Sequence, residues 1–437
     1  MHFSRSMRLN KSIITIVLSY ILLPFYARAE SLVFPPYFHS YGIRKATPVK
    51  LFMFFGNKTA FDDPQGIVAV KMKTRDDPAT EKDDDELTVY GVNSGRDQII
   101  YNTSMWGLTI YGSRGSGVGQ FLNPKGIAAD PEGNVYIADC GNNRVVRLFN
   151  PRKEVRWVGA FTDNKDGGPM FSSPTQLSLD ARGRIYVGDY GHERIVVLSA
   201  SGDVCRIIPE HGEWAFDGGV TALAVADGAE AWSNFPLEHS IFCADRNGKR
   251  LWKIDFNGNP VKYIDMPQGH RAGYAATDYY HSVWITDREG HCVLKFDKDL
   301  RLLDIFGSFG TGKNQFVEPR GISIWKRYGQ TFIAEKNGAQ YFWIGTDLKS
   351  SNLSVLQGRR CELTVNVTEY SYISLFLKPR RDTTWIFRRR MAGPGEDVIR
   401  FNDDNNRIEP QSRLLLKIEP TYSSYMYFSL DFPIQIK

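Results

Sequence analysis

The chain has 437 residues, more than one hydrophobic core usually supports, so we expect two domains. Its 54 basic and 49 acidic residues leave a net charge of +5, which gives no reason to expect a nucleic-acid partner. The 13% share of aromatic residues favours β-structure, where flat rings pack well on pleated faces.

The first 29 residues have the pattern of a signal peptide. Three basic residues precede position 12, residues 12–25 are mostly apolar, and residues 27–29 read Ala-Arg-Ala, as at a cleavage site. The apolar run is short for a membrane span, and an uncleaved anchor is the competing interpretation. We expect a mature chain from Glu30 that has no transmembrane segment and is secreted, periplasmic or exposed at the cell surface.

A repeated unit then begins, and its pattern predicts an antiparallel meander. The clearest copy consists of residues 123–130 (NPKGIAAD), 133–139 (GNVYIAD) and 141–148 (GNNRVVRL). Short runs of β-branched and aromatic residues alternate with Gly, Asn and Asp turns, as in strands joined by tight connections. The next copy repeats this pattern over residues 174–198.

Four less regular copies complete the series. They lie near residues 64–100, 241–254, 282–296 and 319–344, so the repeat recurs roughly every 40 to 55 residues. This period is typical of a β-propeller blade.

A polar residue follows the second strand of every copy, and an arginine begins the third strand in three of them. The polar residues are Asn93, Asp139, Asp189, Asp245, Asp287 and Glu335, and the arginines are Arg144, Arg194 and Arg250. A short carboxylate or amide can accept backbone N–H groups and so hold a turn, and the arginine can pair with it. We interpret both sets as structural anchors, because a catalytic set would not need to recur in every copy.

These motifs resemble the NHL repeat family over roughly residues 48–345. The resemblance implies a β-propeller with four-stranded blades, and six copies imply six blades over residues 30–346. Residues 49–56 match the outer strand that precedes later copies. We therefore predict that this N-terminal segment supplies the fourth strand of the last blade and leaves no open edge.

Beyond residue 346 the repeat stops. Residues 347–357 are polar and predict a linker, and residues 358–437 contain several strand-like runs that predict a small β-sandwich. The residues at 361–365, 374–377, 389–393 and 401–406 resemble the immunoglobulin-like module of the flagellar hook-capping protein family, although the usual Gly-x-Tyr before the last strand is absent. This resemblance implies shape and no activity.

The chemistry-bearing residues show no constellation that identifies a reaction. No nucleophile motif, phosphate-binding loop or metal-ligand spacing is present, and we expect neither a cofactor nor a metal. The acidic stretch at 76–86 fits a solvated insertion better than a calcium loop. An odd count of five cysteines leaves at least one thiol unpaired, with one or two disulfides at most.

Two functional hypotheses remain. The first is an interaction module that binds a protein, peptide or glycan on the propeller face and at the mouth of its channel, with no catalytic or binding residue identified from sequence. The second is a metal-dependent lyase or hydrolase with its site in the central channel, since NHL-like propellers include a zinc-dependent peptide-amidating lyase. It requires several ligands to converge at one mouth, and the candidates are His39, His192, His239, His270, His281 and His291.

Overall fold

The computed structural model describes most of the chain after residue 29. The described residues are 30–36, 44–75, 86–104, 107–163, 167–210, 214–377, 384–405, 407–409, 413–422 and 430–434. The predicted signal peptide, His39 and most of the acidic stretch at 76–86 lie outside them. In the described part of the chain, no helix is both long and apolar enough to cross a membrane.

The predicted β class is confirmed: the described residues are mostly strands, and one short α-helix is present among them. Antiparallel sheets, numbered 1 to 6 along the chain, cover the repeat region. Sheets 1 to 3 consist of the strands Pro64–Val70, Thr88–Asn93, Gln98–Ser104 and Gly107–Tyr111; Pro124–Ala129, Asn134–Asp139, Arg144–Phe149 and Arg156–Phe161; and Pro174–Leu179, Ile185–Asp189, Arg194–Leu198 and Val204–Ile208.

Sheets 4 and 5 have the same meander of four strands. They consist of Ala222–Asp227, His239–Asp245, Arg250–Ile254 and Pro260–Asp265; and of Tyr274–Thr277, Val283–Asp287, Cys292–Phe296 and Leu302–Phe306. Sheet 6 contains Ile322–Trp325, Gln330–Glu335 and Gly338–Ile344, and the N-terminal strands Leu32–Val33 and Lys45–Ala46 pair with the last of these. A small parallel pair, Ser113–Arg114 with Gln120–Phe121, precedes sheet 2.

The first strands of successive sheets contact one another in a closed cycle, because the first strand of sheet 6 also contacts that of sheet 1. The glycine of the Pro-x-Gly-Ile motif allows this close approach. A Cβ at Gly126 would lie 2.4 Å from the carbonyl oxygen of Thr175, and one at Gly321 would lie 2.3 Å from that of Gln65. The sheets thus surround a channel lined by their first strands, as in a β-propeller.

Apolar side chains fill the spaces between neighbouring sheets. The cluster between sheets 1 and 2, for example, combines Val70, Tyr90 and Ile99 with Val135 and Val146. Each sheet therefore buries both faces against its neighbours, which explains the apolar runs in its inner strands.

The closing segment differs from the sequence prediction. Residues 49–56 do not form a strand: Pro48–Phe55 is an α-helix followed by a 3₁₀ turn at Gly56–Lys58. Thr47 caps the helix by accepting a hydrogen bond from the backbone N–H of Lys50, and proline is well suited to the first turn. Two short strands extend sheet 6 instead: Leu32–Val33 pairs with Ile344 and Trp343, and Lys45–Ala46 pairs with Gln340 and Ala339.

The predicted linker at 347–357 is also wrong, because Leu348–Val355 is a strand that pairs with Arg360–Val367. Its side chains are exposed or half-buried except for Leu353, which is fully buried, and this explains the polar composition of the strand. A short 3₁₀ turn, Gln357–Arg359, joins the two strands.

The C-terminal part contains two sheets with a common core. One has the order Leu348–Val355, Arg360–Val367, Gly395–Asn402, and the other has the order Thr384–Ala392, Ser371–Leu377, Leu414–Pro420, Leu430–Ile434. Leu363 and Ile399 of the first pack in one cluster with Ile373, Leu375 and Leu416 of the second.

The two parts of the chain make close contacts. Tyr280 of sheet 5 stacks on Tyr370 with ring centres 4.0 Å apart, and its hydroxyl donates to Thr421 at 2.8 Å. All five cysteines are free: Cys205 is exposed, and Cys140, Cys243, Cys292 and Cys361 are buried.

Candidate functional site

A cavity of about 610 Å³ opens at the end of the ring where the first strands begin. Its walls come from all six sheets, since Gln65, Lys125, Gln176, Thr221, Tyr274 and Arg320 each belong to a different sheet or to the segment leading into it. The turns that carry the anchor residues lie at the same end, because they follow the second strand, which runs back toward the mouth. The mouth is thus built from repeated structural positions with different side chains.

Two side-chain bridges cross the channel within this cavity. The Tyr274 hydroxyl of sheet 5 donates to Gln65 Oε1 of sheet 1 at 2.9 Å. The Gln176 amide of sheet 3 donates to the carbonyl oxygens of Thr221 in sheet 4 and Gly273 before sheet 5, the latter at 2.6 Å. Burial raises the pKa of Tyr274 far above its usual value, so its hydroxyl stays protonated as a donor.

The residues that line the cavity include more positive than negative side chains, and most of the positive ones form ion pairs. Arg320 bonds to Asp63 and Glu318, and Arg288 lies 2.9 Å from Glu318. Lys125 differs from these, since its Nζ has no hydrogen-bond or ion-pair partner among the described residues. It is half-buried in the cavity wall, where it offers an uncompensated positive charge.

Cys140 also reaches this cavity, beside Lys125. Burial raises the pKa of its thiol, and the nearby Lys125 charge lowers it only in part. The thiol is therefore protonated near neutral pH, and a thiolate nucleophile is not available at this position.

The anchor residues hold the segments that lead into the sheets. A side-chain oxygen accepts a backbone N–H from that segment in five sheets: Asn93 from Asp62 at 2.8 Å, Asp139 from Leu122 at 2.7 Å, Asp189 from Ser172 at 2.6 Å, Asp245 from Asp217 at 2.9 Å and Glu335 from Val317 at 2.7 Å. Burial raises the pKa of Asp139, Asp245 and Glu335. The anchor side chains thus bond to the backbone of these segments, and their role as structural anchors stays a prediction.

The arginines that begin the third strands behave in two ways. Arg144 Nε lies 2.8 Å from Asp139 Oδ2, and Arg194 Nε lies 2.9 Å from Asp189 Oδ2. Arg250 does not pair with Asp245, as the sequence predicted, but with Asp265 at 3.0 Å. Arg250 lies between two acids in the register, with Asp245 opposite it on the second strand and Asp265 opposite it on the fourth, and its Nε bonds to Asp265.

The candidate histidines do not converge on the channel in the described residues. His192 Nδ1 lies 2.8 Å from Asp189, His239 Nδ1 lies 2.7 Å from Asp227, and His281 Nε2 lies 2.7 Å from Ser233. His291 Nδ1 accepts from the backbone N–H of Glu318 at 3.0 Å. Each is thus engaged at a different place, and the clustering that the lyase or hydrolase hypothesis requires is not seen in this part of the chain.

His270 belongs to a group that the sequence did not reveal. Its Nδ1 lies 2.8 Å from Asp287 Oδ2 and 3.7 Å from Cys292 Sγ, so an imidazole, a carboxylate and a thiol meet at one point of sheet 5. His270 lies before the first strand of sheet 5, 17 residues ahead of Asp287 in the sequence. It is outside the repeat motif, and no local sequence spacing identifies it as a partner of Asp287.

Comparisons with known proteins support the repeat. The NHL repeat family matches residues 121–148, which confirms the motif at its clearest copy. No curated protein sequence matches the chain.

Similar solved structures include virginiamycin B lyase from Staphylococcus aureus (selenomethionine form; 14% identity, TM-score 0.42, 59% of this chain and 77% of that one). Others are a streptogramin B lyase (14%, 0.43, 66% and 96%) and a putative gluconolactonase (12%, 0.44, 69% and 97%).

Proposed function

We propose that the protein is a secreted or cell-envelope interaction module whose channel mouth binds a peptide or glycan through an anionic group. The observation that carries this proposal is Lys125, a half-buried cation with no partner among the described residues, in the wall of a cavity of about 610 Å³. A carboxylate or sulfate that reached Lys125 Nζ would form a charge-assisted hydrogen bond away from bulk water.

The rest of the cavity suits such a ligand. The Gln65 and Gln176 amides bond within the protein and form a fixed polar wall. The hydroxyl oxygens of Thr175 and Thr221, which donate to backbone carbonyls, can still accept a hydrogen bond, and the Tyr190 ring also lines the cavity. Polar groups that converge in a cavity of this size are typical of a site that fixes the orientation of a small ligand or of one end of a larger one.

The proposed architecture is a six-bladed propeller closed by an N-terminal strand, followed by an immunoglobulin-like β-sandwich. The closed cycle of first strands supports the six blades, and the common core of the two C-terminal sheets supports the sandwich. In this arrangement the sandwich packs on sheet 5 and acts as a spacer or docking domain, while the mouth presents its ligand site on another side.

Binding is tested on glycan and peptide arrays that include acidic sugars and carboxylate-bearing peptides, followed by calorimetry with the best probe. Lys125→Gln should weaken binding of that probe by roughly 10- to 150-fold, since a hydrogen bond to a charged group is worth about 1.5–3 kcal/mol. Lys153→Gln is the matched control: it removes the same charge from the connection after the third strand of sheet 2, at the opposite end of the ring.

Equal binding by the wild type and Lys125→Gln would contradict the proposed site. Failure of all array probes, together with turnover of a small substrate, would replace the binding module by the enzyme hypothesis. The predicted export has its own test, because N-terminal sequencing of the protein from its native source should then begin at Glu30.

A further inference from the structure

The geometry points to a zinc-binding site formed by His270, Asp287 and Cys292, with one coordination position open to the neighbouring cleft. The site lies at the anchor turn of sheet 5, where the second strand ends at Asp287 and the third begins at Cys292. It is separate from Lys125 and from the ligand site proposed above, although Asp287 touches the wall of the same cavity.

Three donor atoms of different chemistry meet at this point. His270 Nδ1, Asp287 Oδ2 and Cys292 Sγ all lie within 4.8 Å of one another. Asp287 and Cys292 are buried, and the His270 side chain is 22% exposed. The described residues contain one such group of three metal-ligating side chains.

Comparison with the equivalent turns shows what is unusual about this one. In sheet 2 the buried Asp139 Oδ2 accepts from Asn142 and pairs with Arg144. In sheet 3 the buried Asp189 Oδ2 has partners at the same two positions of the turn, His192 and Arg194. In these two turns the arginine at the start of the third strand thus neutralises the anchor carboxylate, whereas in sheet 4 Arg250 pairs with Asp265 instead.

Sheet 5 replaces both partners. Cys292 stands opposite Asp287 in the register, where the arginine stands in sheets 2 and 3, and Gly290 occupies the position of Asn142 and His192. His270 enters this space from the segment before the sheet. A buried carboxylate has therefore lost its arginine and gained an imidazole and a thiol, two ligands that zinc prefers.

Gly290 keeps the site open. A Cβ at this position would lie 2.4 Å from Asp287 Oδ2 and 3.1 Å from His270 Nδ1, so any side chain would push into the donor atoms. Asp287 Oδ1 is fixed by the backbone N–H groups of Glu289 and Gly290, at 3.1 and 3.0 Å, which leaves Oδ2 directed at the other two ligands.

The distances fit a tetrahedral ion after a small adjustment. With bonds of about 2.0–2.1 Å to nitrogen, 2.0–2.2 Å to oxygen and 2.3 Å to sulfur, tetrahedral donors lie roughly 3.2–3.8 Å apart. The His270–Cys292 distance of 3.7 Å is in this range. The His270–Asp287 distance of 2.8 Å is that of a hydrogen bond, and it would lengthen by about half an ångström when a metal replaces the shared proton.

Three protein ligands leave the fourth position for water or a ligand donor. His270 borders a cleft of about 750 Å³ that is also lined by Asp217, Arg246, Lys249 and Glu289, and this cleft supplies the route to the ion.

The test is made on the full chain produced without an affinity tag. The protein is equilibrated with zinc chloride, dialysed against metal-free buffer and analysed for zinc per chain; a parallel sample receives Co²⁺, whose thiolate charge-transfer band reports a cysteine ligand. We expect one zinc per chain and a cobalt–thiolate band. His270→Gln and Cys292→Ser should each lower zinc affinity at least about tenfold, the smaller effect known for groups that only support a ligand, and Cys292→Ser should abolish the band.

His192→Gln is the matched control, because His192 pairs with an anchor aspartate whose turn retains its arginine. It should bind zinc as the wild type does. A wild-type chain that retains no zinc and gives no cobalt–thiolate band would overturn the site whether or not the variants fold, and so would unchanged zinc affinity in a folded Cys292→Ser variant.

Discussion

Lys295 and Glu369 form a buried ion pair between sheet 5 and the C-terminal part of the chain, with Nζ 2.5 Å from Oε2 and the side chains 1% and 0% exposed. Lys295 Nζ also donates to the carbonyl oxygen of Thr368 at 2.7 Å and lies 4.7 Å from the ring centre of Trp284. Burial raises the pKa of Glu369, and the Lys295 charge opposes this shift. The contact between the two parts therefore depends on two charges that compensate each other.

Removing one of these charges should lower the free energy of unfolding more than removing both. Lys295→Met should lower the free energy of unfolding by about 3–5 kcal/mol, because it leaves the Glu369 carboxylate buried without a partner. The double variant Lys295→Met/Glu369→Leu should recover much of this loss, since an apolar pair of similar volume can replace a buried ion pair. Denaturant unfolding measures both.

Lys73→Met is the control, because Lys73 and Glu132 form an exposed ion pair, and it should leave stability almost unchanged. A double variant as unstable as the single one would show that the two charges do not compensate each other.

His281 should make the protein sensitive to acid. Burial, with the charges of Lys326 and Lys298, lowers the pKa of His281 to about 3, whereas an unfolded histidine titrates near 6.5. Between these values the unfolded chain binds a proton that the folded chain does not. Stability should therefore fall as pH decreases from about 6.5 toward 3, by at most about 1.4 kcal/mol per pH unit from this residue.

His281→Asn should remove this part of the pH dependence, and asparagine tolerates the backbone φ of +58° at this position. Unfolding midpoints at pH 4.5, 5.5 and 6.5 give the slope for each protein. The explanation fails if His281→Asn and the wild type have the same slope.

The role of Leu32–Val33 in extending sheet 6 can be tested by mutation. Leu32→Ala should cost about 2–5 kcal/mol, because Leu32 is fully buried among residues of sheets 5 and 6. Val49→Ala should change stability by no more than about 0.5 kcal/mol, because Val49 is 72% exposed on the helix. Thermal unfolding distinguishes them, and the opposite order of effects would assign the closing role to residues 49–56.

The motif glycines should be intolerant of any side chain. Gly126→Ala should destabilise the protein by at least about 1–3 kcal/mol, since its Cβ would lie 2.4 Å from a backbone oxygen that belongs to the next sheet and cannot move alone. Gly159→Ala, in the outer strand of sheet 2, meets nothing within 4 Å and should be neutral or slightly stabilising. Chemical unfolding of the two variants side by side tests the role of close strand contact around the channel.

The sequence predicted the repeat strands well where the local pattern of apolar and turn residues agrees with the burial of those residues in the folded protein. In sheet 2 the alternation of apolar runs with Gly and Asn turns places Asn134–Asp139 and Arg144–Phe149 close to where they occur. In the C-terminal part, where the sequence predicted strand-like runs, residues 361–365 lie within the observed strand Arg360–Val367. The two strands of sheet 2 are almost fully buried, and Arg360–Val367 alternates buried with half-buried residues, as expected of a strand with one face on a core.

The failures occur where a local pattern fits two structures. Residues 49–55 are as apolar as an outer strand, and the cap at Thr47 and Pro48 decides for a helix. The polar residues of Leu348–Val355 fit a linker equally well, and only the neighbouring strand makes them an edge. The meeting of His270 with Cys292 is a tertiary contact between segments with no spacing in common, so sequence alone could not reveal it.

The bridges from Tyr274 to Gln65 and from Gln176 to Gly273 limit what kind of molecule the mouth can recognise. A chain cannot thread through a ring that is crossed by these side chains, so whatever occupies the cavity must return by the way it came. If the cavity holds the peptide or glycan that we propose, only a chain end fits. The last residue of a peptide or the outermost sugar of a branch would enter, and the rest of the polymer would stay outside. An internal stretch of the same polymer has the same chemistry but no free end, so it would not fit in the cavity.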